Sequence, residues 1–143
     1  MRGRATAGIV AVLLVFAAPA QAAPFVATLK APTHRPKADR LWPITVTART
    51  SSGTALRATA TYQFVYNGSV VATRYPSPHA DPKSKCSKAG TCRKSPYPFR
   101  GRMRDGTFTW PARAVGADLT FRVVVVVKGK GRVNLDYAVR VHR

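Results

Sequence analysis

The nine residues Leu119-Thr-Phe-Arg-Val-Val-Val-Val-Val127 constrain this chain more than any other stretch. Valine branches at Cβ, which crowds a helix turn and suits a pleated, buried surface. No Gly or Pro interrupts the run. It reads as the central strand of an all-β domain. Alternation sends Leu119, Phe121, Val123, Val125 and Val127 to the core. Val124 and Val126 fall on the opposite face, to be covered by neighbouring side chains or by a partner's sheet.

The remaining segments repeat the same period of two. In Trp42 to Thr50, Ile44, Val46 and Ala48 face one way and Thr45, Thr47 and Arg49 the other. In Ala58 to Tyr66, the residues Ala60, Tyr62, Phe64 and Tyr66 share a face. Asn67-Gly68 then joins this run to Ser69–Arg74. That dipeptide between two β-rich runs marks a tight hairpin, because both turn positions need positive φ. The hairpin accounts for Asn67-Gly68-Ser69, which also spells a glycosylation sequon. Phe99–Met103 and Gly106–Trp110 read as strands around a second hairpin turn at Asp105-Gly106. Val133, Leu135, Tyr137, Val139 and Val141 form the inner face of a last strand, with Asn134, Asp136, Arg140 and His142 outside. A short edge strand over 23–30 and a proline-bearing loop, Ala31–Arg40, complete the pattern. The expectation is an antiparallel β-sandwich of seven or eight strands with no helix.

The first 22 residues stand apart. Arg2 and Arg4 precede an apolar stretch, Ile9–Ala18, and Ala20-Gln21-Ala22 has the small-x-small pattern of a cleavage site. The stretch is shorter than the roughly 20 residues a membrane span needs. Residues 1–22 therefore read as a signal peptide and 23–143 as the mature domain, without a transmembrane segment and placed outside the cytoplasm. Export implies an oxidising compartment, so Cys86 and Cys92 are expected to form a disulfide. Its ring is small and stiffens one loop by about 2 kcal/mol in the chain-entropy picture.

That loop, 76–98, is the long irregular segment of the chain. From Lys83 to Arg104 every charged residue is basic: Lys83, Lys85, Lys88, Arg93, Lys94, Arg100, Arg102 and Arg104, with Tyr97 and Phe99 among them. The whole chain holds 24 Lys and Arg against five acidic residues, a net charge of +19. Such an excess draws a protein to anionic surfaces. Arg forks match phosphate and carboxylate oxygens, and an aromatic ring stacks on a base or sugar. The partners this implies are anionic envelope polymers or surface proteins: an envelope polysaccharide, a phospholipid surface or extracellular nucleic acid. A basic tip that only keeps the domain soluble is the plainer reading of the same residues. No recognised nucleic-acid module is present.

Catalytic constellations are scarce. General acid–base work needs carboxylates held near one another or near a His. Asp105 and Asp118 read as turn and strand-start residues, and Asp136 as the partner of an Arg. His34, Asp39, His79 and Asp81 lie in two loops, and a metal or hydrolytic site across them is the sharper alternative to solvated loop residues. There is no phosphate-cradling glycine loop, nucleophile elbow or HExxH motif. The sequence thus points away from an enzyme and toward a binding or structural module with no cofactor.

Trp42-Pro-Ile-Thr-Val-Thr-Ala48, Tyr62-x-Phe64 before Asn67-Gly68, and Leu119-Thr-Phe-Arg-Val-Val-Val125 together resemble the B, C and F strands of secreted bacterial immunoglobulin-like or fibronectin type III-like domains. The likeness lies in pattern and order over most of the mature chain. Tyr62 or Phe64, and Phe121, stand where that family usually has a Trp on C and a Tyr on F. Cys86 and Cys92 are too close in sequence to be the cross-sheet disulfide of antibody domains. The resemblance implies a non-catalytic binding or spacer role at the cell surface.

Overall fold

The computed structural model describes residues 24–78 and 94–143. Among these are eight strands: β1 (Val26–Lys30), β2 (Ile44–Arg49), β3 (Arg57–Tyr66), β4 (Ser69–Arg74), β5 (Tyr97–Arg100), β6 (Arg102–Asp105), β7 (Asp118–Val127) and β8 (Gly131–Arg140). A single 3-10 turn, Ala112–Ala114, lies before β7. The strands pair antiparallel in two sheets. One has the order β1-β2-β6; in the other β4-β3-β7-β8 run in sequence and β5 also pairs with β3. The all-β sandwich expected from periodicity is therefore present. Among the described residues no helix is long and apolar enough to cross a membrane.

The valine-rich run occupies the interior position expected of it. β7 pairs with β3 on one side over Thr120 to Val126 and with β8 on the other over its whole length. Phe121, Val123, Val125 and Val127 are buried, and Leu119 packs on the edge of the same core. On the outer face Val124 is buried at 6% exposure, whereas Val126 stays 40% exposed. The facing β2 sends Ile44, Val46 and Ala48 inward.

Rings fill the space between the sheets. Trp42 packs edge-on to Phe121 at 5.3 Å and to Trp110 at 5.4 Å between ring centroids, and Tyr62 meets Phe121 at 5.0 Å. Such pairs each add about 0.5–1.5 kcal/mol beyond the area they bury. Trp42 anchors its polar end too, its Nε1–H donating to the Thr33 carbonyl at 2.9 Å.

Asn67 and Gly68 take φ of 49° and 79°, as the tight hairpin between β3 and β4 requires. Tyr66 lies on the side of Tyr62 and Phe64, where it lines the same cleft as Phe64, but at the end of the strand it is 44% exposed. The β3–β4 register slips between Phe64 and Val65, with Val71 of β4 as the extra residue. Two expectations are corrected. The irregular segment ends before 98, because Tyr97 and Pro98 already belong to β5. Finally, Asp105-Gly106 is not a hairpin turn. The break falls earlier, at Gly101, and Asp105 ends β6 with its side chain in the core.

Gly101 carries the chain from one sheet to the other. β5 pairs with β3, and β6, a single residue later, pairs with β2. The φ of Gly101 is +69°, and an added Cβ would lie 2.6 Å from Cβ of Ala55. Its amide donates to the Leu56 carbonyl and its carbonyl accepts from the Ala48 amide. The corner is thus built from backbone that only glycine can supply.

Candidate functional site

The basic residues singled out in the sequence fall in different places. Lys83, Lys85, Lys88 and Arg93 lie outside the described residues, as do Cys86 and Cys92 with their expected disulfide, and His79 and Asp81. Lys94 is exposed just ahead of β5. Arg100, Arg102 and Arg104 are all exposed. They do not form one cluster, because the corner at Gly101 puts Arg100 on the outer face of the larger sheet and Arg102 and Arg104 on the outer face of the smaller one.

On the smaller sheet the register aligns Lys30, Thr45 and Arg104 in one row and Thr28, Thr47 and Arg102 in the next. Arg49 follows Thr47 on the same face, opposite Val26. Rows in a sheet repeat at about 6.8 Å along a strand and neighbouring strands at about 4.8 Å. The face is therefore a lattice of four cations spaced by threonines, with the Thr28 and Thr47 hydroxyls bonded to each other. Arg49 donates from Nη1 to the Gly53 carbonyl at 3.0 Å. Neither of the two ion pairs among the described residues lies here.

Both ion pairs belong to the larger sheet. Arg122 grips Asp136 through Nε at 2.6 Å and Nη2 at 2.9 Å, which bears out the pairing expected for Asp136. The bond from Arg122 holds the Asp136 carboxyl below its usual range. The bond from Asp136 in turn raises the guanidinium of Arg122. Arg140 spans β8 to β7 to reach Asp118 at 2.9 Å. At the far end of this face, Arg57 and Arg100 stand directly opposite each other. With Lys128 they ring a shallow depression of about 480 Å³ floored by Thr59, Pro98 and Val126. Like charges in register across two strands repel, so an anion placed between them would relieve the pair.

Asp105, which the sequence suggested was an ordinary turn residue, is fully buried. One carboxylate oxygen accepts from the Tyr62 hydroxyl at 2.8 Å. The other accepts from the Thr107 amide at 3.0 Å and the Thr107 hydroxyl at 2.8 Å. Burial first, and the nearby Asp105 charge second, push the Tyr62 phenol well above its ordinary range. The arrangement ties one sheet to the other.

His34 is committed to packing: its ring stacks on Tyr137 at 3.9 Å, and Nδ1 donates to the Ala138 carbonyl at 2.6 Å. Asp39 adopts φ of 57° in its loop and donates its amide to the Trp110 carbonyl. Among the described residues no three His, Cys, Asp or Glu side chains converge as a metal site would require.

A feature the sequence gave no sign of is a cleft of about 800 Å³ beside β4. With β4 and β5 end to end on one edge of β3, the larger sheet is four strands across against three in the smaller, and no residue of β4 is fully buried. The cleft lies between β4, the end of β3 and the 108–117 segment, and Phe64, Phe108 and Trp110 contribute to its walls.

Comparison of the sequence with protein-family models and with curated proteins finds no match.

Proposed function

We propose that this chain is an exported, non-catalytic β-sandwich module that binds anionic polymers at the cell envelope. The observation that carries the reading is the outer face of the smaller sheet, where Lys30, Arg49, Arg102 and Arg104 share one surface and no carboxylate among the described residues neutralises them. A flat lattice of guanidinium groups and hydroxyls offers hydrogen bonds to successive oxygens of an extended polyanion without demanding a particular sequence. The immunoglobulin-like resemblance agrees with the pairing: β2 lies in one sheet while β3 and β7 neighbour each other in the opposite one, as strands B, C and F do in that architecture. The leader-like residues 1–22 support export.

A single-stranded oligonucleotide serves as a sequence-neutral polyanion for the test. Affinity should fall steeply as salt rises, since released counterions drive such binding. Replacing Arg102 and Arg104 with Ser should lower the magnitude of the log–log salt slope by about 1.4, two phosphate contacts at roughly 0.7 each. Arg100→Ser, on the other face, should leave that slope closer to the parent's. Binding indifferent to salt, or a slope unchanged in the double variant, would remove the reading.

A further inference from the structure

The aromatic cleft beside β4 is independent of the basic faces. Its walls are mainly carbon: Phe64, Phe108, Leu119 and Val71. At about 800 Å³ it lies within the roughly 300–1,000 Å³ range of small-molecule sites. Among the described residues its charged groups are cationic: Arg74 and Arg113 line it, neither in an ion pair, and no acidic residue does. Arg74 donates once, to the neighbouring Thr73 carbonyl, which leaves most of its guanidinium donors for another acceptor.

We propose that this cleft binds a small amphiphile with an apolar body and a single anionic oxygen-bearing head. The rings and aliphatic side chains take the body. Arg74 and Arg113 pair with the head. Charge selects the ligand: a cationic head meets two guanidinium groups, and a neutral head forgoes charge-assisted bonds, which are about twice as strong as neutral ones.

The experiment is titration of the purified protein, by calorimetry and tryptophan fluorescence, with dodecanoate, dodecyl phosphate, dodecanol and dodecyltrimethylammonium below their aggregation thresholds. Saturable one-to-one binding of the anionic pair is expected, and the stronger of the two identifies the head as carboxylate or phosphate. Arg74→Gln with Arg113→Gln should weaken anion binding at least tenfold with thermal stability unchanged. Equal binding of the cationic and anionic heads, no saturable binding of either anion, or full affinity in the double arginine variant would overturn the proposal. So would a self-associated dimer that dodecanoate fails to disperse, since a second copy would then be the occupant.

Discussion

Tyr62 and Asp105, 43 residues apart, make the buried polar contact that links β3 to β6. A carboxylate in the core is tolerated only when its oxygens are occupied. Here Thr107 serves one and the Tyr62 hydroxyl the other. Tyr62→Phe keeps the ring in its aromatic cluster and strips the second oxygen of its donor. We expect a loss of about 2 kcal/mol in urea unfolding, the range for a hydrogen bond to a charged group. Alkaline pH offers a second readout. The folded Tyr62 phenol has a raised pKa, so its contribution is complete below the ordinary phenol range and lost as pH climbs past it. The stability of Tyr62→Phe should therefore fall less between about pH 9 and 11 than that of the parent. None of this was legible in Asp105-Gly106, whose local chemistry is that of a turn. The Asp105 carboxylate does make the short-range bond to the Thr107 amide that such residues favour. What the local pattern omits is the Tyr62 hydroxyl arriving from the other sheet.

Elements were legible to the extent that their own side chains declared them. β7 is identifiable from nine consecutive residues, and the β3–β4 hairpin from Asn67-Gly68. β5 and β6 were not separable, because Phe99–Met103 alternates as one strand and the change of sheet rests on a backbone angle at Gly101. Its consequence for the basic residues is direct: Arg100 and Arg102 differ by two positions and would share a face in any unbroken strand, yet the corner sends them to opposite outer faces. Gly101→Ala tests this corner against a milder glycine. Gly53 also has positive φ, at +94°, but an added Cβ there meets nothing within 4 Å. Gly53→Ala should cost only backbone strain, about 1–2 kcal/mol. Gly101→Ala adds collision with Ala55 and should cost about 3 kcal/mol or more. Equal losses for the two variants would show that the close approach to Ala55 is not what fixes the corner. The cleft beside β4 eluded sequence reading for a related reason. It arises from unequal sheet widths, and the pairing order that sets those widths is written in no single segment.

For the whole molecule, charge is the dominant quantity. The chain carries a net +19 on 143 residues, and the two ion pairs among the described residues engage only Arg122 and Arg140. Self-repulsion of this kind destabilises a compact state and is screened by salt. The Debye length shrinks from about 30 Å at 0.01 M to about 8 Å at 0.15 M. The melting temperature of the domain should therefore rise over that interval, measured in a monovalent salt, and a flat or falling profile would mean that the repulsion is already offset. A domain with balanced charge would lack this response, so it gauges the strength of the field that the proposed polyanion would meet.

One property of the β3 edge bears on how much chain the domain can carry there. β4 ends at Arg74 opposite Tyr62, and β5 begins at Tyr97 opposite Ala60. The two therefore line the same margin of β3 end to end, separated by a single rung at Thr61. The chain between Arg74 and Tyr97 thus leaves and rejoins one margin of β3. Its first residues remain part of the domain: Pro76 and Ser77 are buried, and the Ser77 carbonyl accepts from the Thr107 hydroxyl. Because the exit and return lie one rung apart, lengthening the chain between them adds little closure entropy, about 0.6 kcal/mol for each doubling.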